Sequence, residues 1–351
     1  MSYKETFYFI AKCLTISLEE KNKQEIEFIL NTTDFDWDSV VKVSTAHYVF
    51  PAMYLNLKRA NLLKYVPPKL VYYMKNITNL NRDRNKQILK QLYELNSLLL
   101  ANHITPIFLK GSSNILAGIY DDIAERMIGD IDFLVSKKDL QSALKILKNH
   151  GYSTPENLFN NFPKHRHCPR LVKQENIAAV EVHKEITIEK YRDEFNYKII
   201  IEDIQLIDNF SLLSFENQLS LSIIDNQIND YGYELLNFSL RNAYDVYLIS
   251  KKVDTKKSIS KFTKLKNPLN CFIANCNLVF GEIDSLKFHR TKETDLYMVA
   301  FNKSFLKRSK LKFYLKSNMI KFRRRFFIVF NSLFNRKNRM WLLKRIKESI
   351  S

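Results

Sequence analysis

The stretch "KGSSNILAGIYDDIAERMIGDIDFLV" (Lys110–Val135) sets a glycine and two serines at one end and a Gly-Asp-Ile-Asp run at the other. The segment "IDFLV" reads as a strand, and on a strand residues two apart share a face. Asp130 and Asp132 therefore present two carboxylates to one side, while Ile131, Phe133 and Val135 point to the other. Two like charges held that close repel, and such a pair persists on a buried strand only where a cation or a cluster of donors compensates it. A divalent ion with hard oxygen ligands, such as Mg2+, meets the need.

Upstream, "PIFL" is a short apolar run that Gly111 breaks, after which "SNILAGIY" returns to helical spacing. Amide groups at a strand-to-helix turn make an anion site. Gly111 and Ser112 are thus the candidates for holding the outer phosphates of a nucleoside triphosphate, with Lys110 and Ser113 as helpers and Gly129 beside the acid pair. Arg126 either neutralises phosphate or pairs at the surface with Asp121, Asp122 or Glu125.

Downstream, "SKKDLQSALKILKNHG" carries Ser136 as a helix N-cap, Asp139 three residues on, and Gly151 as the stop. A third strand, Ala178–Ile186, sets Glu181, His183 and Glu185 on one side and Val180 and Val182 on the other. Phosphoryl transfer with two metal ions needs a further ligand and a group to draw a proton from the attacking hydroxyl. Glu181 is the candidate for both, and His183 and His167 are candidates for facing substrate. The "KHRHCPRL" loop (Lys164–Leu171) is cramped for tetrahedral zinc and is expected to be a mobile, basic, substrate-facing segment.

Helical spacing dominates on both flanks of this small α/β unit. Ile88, Leu92, Leu95 and Leu99 recur on one face of a helix. "WDSVVKVSTAHYVFPAMYLNLKRANLL" is similar, with Pro51 marking a break or a first turn. "SFENQLSLSIIDNQI" and "ELLNFSLRNAYDVYLISKK" read as amphipathic helices, the second with an Arg241–Asp245 pair at i,i+4.

The formal charge of +18 is uneven: residues 301–351 hold 16 Lys and Arg against one acid, Glu348. This tail interleaves its cations with Phe, Leu, Ile and Trp341. The expected arrangement is a helix with its apolar side on the core and its basic face in water; the alternative is contact with an anionic membrane surface or RNA. Its longest uncharged apolar run, Phe326–Asn335, is about half of the roughly 20 residues needed to span a bilayer, so no transmembrane helix is expected. Four cysteines and no readable secretory signal suggest a reducing cytoplasm, with Cys271 and Cys276 as core residues.

Taken together, Leu109-Lys110-Gly111, the run Arg126-Met127-Ile128-Gly129-Asp130-Ile131-Asp132, and Glu181-Val182-His183 resemble the motifs of the uncharacterised nucleotidyltransferase family, within the polymerase-β-like superfamily. The likeness extends to Trp37, "AHYVFPAMY", the "NRDRN" helix and "NAYDVYLI", roughly residues 35 to 250. Members often carry a histidine in the helix after the core, where this chain has Asn226. The resemblance implies an α/β (α+β) fold, with a small mixed β-sheet nucleotidyltransferase core flanked by N-terminal and C-terminal helical regions. Its divisions fall at 1–104, 105–205, 206–300 and a basic tail at 301–351. It further implies two Mg2+ ions on Asp130, Asp132 and Glu181, with transfer of a nucleoside monophosphate from an NTP to an acceptor hydroxyl. The acceptor class is left open among small molecule, glycan, protein and RNA. The competing expectation is an inactive module of the same fold that binds an anionic partner through its tail.

Overall fold

A computed structural model describes residues 1–32, 35–155, 165–336 and 338–343. Lys164 and residues 344–351, parts of the loop and tail read above, lie outside the described residues. At the centre is a mixed five-stranded sheet of β1 (Ile107–Phe108), β2 (Asp130–Leu134), β3 (Ala179–His183), β4 (Ile204–Ile207) and β5 (Phe210–Leu213), in the order β3-β2-β1-β5-β4. β2 runs parallel to β3 and antiparallel to β1, β1 runs parallel to β5, and β4 closes as a hairpin on β5.

The β4–β5 hairpin was not anticipated, and it puts β5 in the interior of the sheet beyond the expected core limit at residue 205. Its signal was present: two apolar runs separated by Asp208-Asn209, whose φ values of 47° and 65° are those of a two-residue hairpin turn.

The two sheet faces differ in chemistry. Phe108, Phe133 and Phe210 meet on one face, with ring centroids 5.4–5.9 Å apart, and Tyr93 of the long helix Pro68–Ala101 packs edge-on against Phe210 at 4.9 Å. Ile88, Leu92, Leu95 and Leu99 of that helix are buried as their spacing predicts. The same helical face carries buried amides that fix backbone elsewhere. Gln91 bonds both the N–H and C=O of Ala178 at the start of β3, and Asn96 bonds the Asn209 carbonyl in the hairpin turn.

Pro51 falls in the first turn of Phe50–Arg59, so the upstream stretch divides into that helix and Trp37–Ala46. The helix after Ser136 begins at Leu140, and Ser136 Oγ accepts from the Asp139 N–H one turn ahead of it. Phe7, from the first helix, packs against Phe238, Phe301 and Phe305, so the apolar core is continuous across the N- and C-terminal helical regions. All four cysteines are buried free thiols.

Three expectations are corrected. The helix Phe215–Ile224 is buried on every side rather than amphipathic, and it runs into a π-helical turn, Asp225–Asn229. "ELLNFSLRNAYDVYLISKK" is not one helix: Leu236 adopts a left-handed φ of 55° and the chain restarts at Leu240–Ser250 with Ser239 as its cap. The tail helix Lys307–Phe334 does not lay its apolar side on the core; Leu311, Met319, Phe322 and Phe326 are all more than 60% exposed. No helix among the described residues is long and apolar enough to cross a membrane.

Candidate active site

The parallel pairing of β2 with β3 sets Asp132 opposite Glu181, Asp130 opposite Ala179 and Leu134 opposite His183. Paired residues of adjacent strands share a face, so Asp130, Asp132, Glu181 and His183 project together from the side opposite the phenylalanines. Asp132 Oδ1 receives His183 Nε2 and Lys110 Nζ, each at 2.7 Å. Ligand atoms of Asp132, Glu181 and His183 lie within 4.8 Å of one another, and this is the one such cluster among the described residues. Asp130 turns instead to Arg170, whose Nη2 lies at 2.6 Å while its Nε reaches Glu181 Oε1 at 3.3 Å.

Electrostatics follow from this crowding. Burial and the neighbouring Asp132 raise the Asp130 carboxyl above its ordinary value, against the pull of Lys110 and Arg170. Burial, Asp132 and Asp130 likewise raise Glu181. Burial would raise Asp132 too, but Lys110 and His183 overcome it and hold that carboxyl well below the usual range. Lys110 is driven down by burial and more strongly up by Asp132 and Asp225, so its ammonium stays charged. Burial brings His167 down to about 3, leaving a neutral imidazole, so its 3.7 Å approach to Glu181 is not an ion pair.

Lys110, not Gly111, carries the left-handed backbone at the strand-to-helix turn, with φ 56°. This places its ammonium over β2. At Gly111 a Cβ would meet Ile128 at 3.4 Å and Arg126 at 3.7 Å, ordinary contacts, so space alone does not demand glycine there. Ser112 and Ser113 lie buried behind the turn, and neither hydroxyl has a hydrogen-bond partner among the described residues.

Lys110, Gly111, Gly129, Asp130 and Asp132 line a cleft whose other wall is built from Arg126, Arg166, Asp225, Asp230, Arg241 and Asp245. Arg126 is buried there rather than paired at the surface. Its Nε bonds Asp245 Oδ2 at 3.1 Å, while Asp122 is taken by Arg82 and Glu125 by Arg59 and Tyr244. Asp245 also accepts from Tyr120 at 2.6 Å, and among the described residues no ion pair within 4 Å joins it to Arg241. Arg241 sits 5.1 Å over the Tyr48 ring, and the nearby Arg126, with burial, depresses its pKa.

The segment carrying Arg126 and Gly129 is held from below by the "NRDRN" turn of the long helix. Asn81 bonds the carbonyls of Ala124 and Arg126, Asn85 those of Ile123 and Arg126, Arg82 the Asp122 carboxylate, and Arg84 the Ile128 and Gly129 carbonyls. From above, Tyr244 and Asp245 of "NAYDVYLI" clamp Glu125 and Arg126. Two of the outlying segments of the resemblance thus serve one loop.

Sequence reasoning missed Arg166, Arg170 and Asp225. The loop bearing the two arginines is not free. Cys168 N–H donates to Val182, Leu171 and Val180 exchange both bonds, and Lys184 N–H donates to Arg166, lacing it antiparallel along β3. Asp225 opens the π-helical turn, 3.8 Å from both Lys110 Nζ and Arg166 Nη1. π-turns often mark functional sites, but their i+5 bonding leaves no composition signature. Gly232 locks the turn: a Cβ there would stand 2.5 Å from the Asn226 carbonyl and 2.7 Å from that of Asn237.

The sequence model described as "Uncharacterised nucleotidyltransferase" matches residues 33–280, well over half of the chain, and the protein belongs to that family. No curated protein matches it. Among solved structures it is similar to JHP933 from Helicobacter pylori, at 14% identity over 66% of this chain and 95% of that one, with a TM-score of 0.30.

Proposed function

We propose that the protein is a metal-dependent nucleotidyltransferase that moves a nucleoside monophosphate from an NTP to an acceptor hydroxyl. The observation that carries this reading is the β2–β3 register, which gathers three carboxylates on one sheet face beside a cleft rich in arginine. The donor set fits Mg2+. It offers carboxylate oxygens, and two of the three acids are raised by burial and by neighbouring carboxylate charge, both of which a bound cation would offset.

Asp130, Asp132 and Glu181 would hold two ions, with His183 and Lys110 fixing Asp132. Bound Mg2+ would neutralise charge on the transferred and leaving phosphates. The chain's own groups do the rest. Arg126, Arg166 and Arg241 offer guanidinium donors to the triphosphate, the Arg241 Nε having no hydrogen-bond partner among the described residues. Gly111, which lines the cleft, gives a first-turn amide, whereas Ser112 is buried behind the turn and is not part of the cleft's lining. Glu181, raised above an ordinary carboxylate, takes the proton as the acceptor oxygen bonds to the α-phosphorus. The α–β bridging oxygen then leaves with pyrophosphate.

The test is pyrophosphate release from each of four NTPs in the presence of cell extract and Mg2+, with Asp132→Asn as control. Partition of labelled nucleotide among small-molecule, glycan, protein and RNA fractions identifies the acceptor class. Release that persists unchanged in the Asp132 variant overturns the proposal. Nucleotide affinity indifferent to Mg2+, with no release, would mark a binding module instead.

A further inference from the structure

The tail helix Lys307–Phe334 carries a feature the proposed chemistry does not use. Leu311, Leu315, Met319, Phe322, Phe326, Phe330 and Leu333 follow one another at steps of four, four, three, four, four and three, which aligns them on one face. Every one is exposed, Phe322 to 71% and Met319 to 69%. The average step stays close to the natural 3.6 of an α-helix, so the stripe runs nearly parallel to the axis for roughly 33 Å. Its phenylalanines form a ladder, Phe322 stacking on Phe326 at 6.5 Å and Phe326 on Phe330 at 6.3 Å.

The helix is tethered by another side. Ile320 is buried, Lys316 reaches the Glu234 carbonyl and Arg323 the Glu234 carboxylate, each at 3.4 Å. These residues project about a quarter-turn or more from the middle of the stripe, leaving it turned away from the body. Exposed cations border it on both edges: Lys316 and Arg323 on one, Arg325 on the other. A contiguous apolar face of this size calls for a partner.

We propose that this stripe lies on an anionic phospholipid surface, the phenylalanines entering the acyl boundary while the flanking cations meet lipid phosphates. Charge chooses that partner. A second copy would bring two basic borders together, and the whole 301–351 segment holds a single acid to relieve them. A charged bilayer supplies apolar depth and complementary charge at once. The inference is independent of the proposed catalysis.

The test is flotation of the full chain with vesicles of equal parts phosphatidylglycerol and phosphatidylcholine, and with phosphatidylcholine alone. Binding is expected to the first and not to the second, and to weaken at high salt. The triple variant Phe322→Ser, Phe326→Ser, Phe330→Ser should lose at least about tenfold in partitioning with its thermal unfolding unchanged, since these side chains are exposed. Arg325→Glu should weaken binding at low salt. The proposal is overturned if the chain stays unbound to anionic vesicles, or if the triple variant binds as well as the parent. It is equally overturned by a dimer in sedimentation that the triple variant disperses, or by tighter retention on single-stranded RNA than on vesicles.

Discussion

Lys110 Nζ stands 2.7 Å from Asp132 Oδ1, projected there by a residue whose backbone is left-handed at φ 56°. A non-glycine residue in that region costs roughly 1–2 kcal/mol, which glycine would not incur. Lys110→Gly and Lys110→Ala both delete the ammonium, but only the first relieves the backbone. The glycine variant should therefore unfold at higher denaturant than the alanine variant, by about 1 kcal/mol, while both lose transfer activity. Equal stabilities would show that the turn stores no strain.

Asp132 is the carboxylate most firmly held, between an ammonium and an imidazole. Asp132→Asn keeps the shape and removes the charge, so kcat for nucleotide transfer should fall at least about a thousandfold. Circular dichroism should remain that of the parent. Turnover within about tenfold of the parent would remove Asp132 from the chemistry.

Glu181 makes a prediction of opposite signs. Its pKa is raised, so the folded state takes up a proton more readily than the unfolded state, and ionised Glu181 costs stability when no metal is present. Metal-free Glu181→Gln should melt above the parent near neutral pH and lose the Mg2+-induced rise in Tm. For the parent, that Mg2+ response should fade as pH falls, starting above the ordinary carboxylate range, because Asp130 and Glu181 protonate early. Asp132 runs the other way: its depressed pKa contributes stability above the unfolded value, lost as pH falls through the folded one. A Mg2+ response flat down to the ordinary carboxylate range would contradict the assignment.

Arg170 bridges Asp130 and Glu181 where a metal cation would sit, and its side chain is 45% exposed. Removing that competing charge should tighten Mg2+. Arg170→Gln is expected to lower the Mg2+ dissociation constant several-fold by calorimetry, with the effect shrinking as salt rises. Weaker Mg2+ binding in the variant would instead make Arg170 part of the metal's support.

Gly232 shows where a methyl group is too much. With backbone oxygens 2.5 and 2.7 Å from its missing Cβ, Gly232→Ala must push apart the π-turn and the segment after it. A loss of about 2–3 kcal/mol is expected by urea denaturation, together with weaker nucleotide binding. An unchanged midpoint would mean that the turn yields freely.

What could be read from the sequence had a local rule behind it. Period-two alternation put Asp130 with Asp132 and Glu181 with His183, and parallel pairing brought the two sets to the same face. The long helix announced its apolar stripe, although not that Asn81, Asn85 and Gln91 on it would cap loop backbone. Arg166, Arg241 and Asp225 reach the cleft from three different elements, and nothing in a cation's neighbours says which way it will point. The tail's charge was plain from composition, but which side of the helix stays uncovered depends on tertiary contacts that it largely does not make.

The π-turn at Asp225–Asn229 amounts to one amino acid more than a regular helix would spend there. Deleting a position within it would let the chain wind as an ordinary helix over the same span, and the residues of the turn would lose the aim that sets the Asp225 carboxylate 3.8 Å from Lys110 and Arg166. A change of length there would act on the cleft in one step, where point substitutions act by degrees.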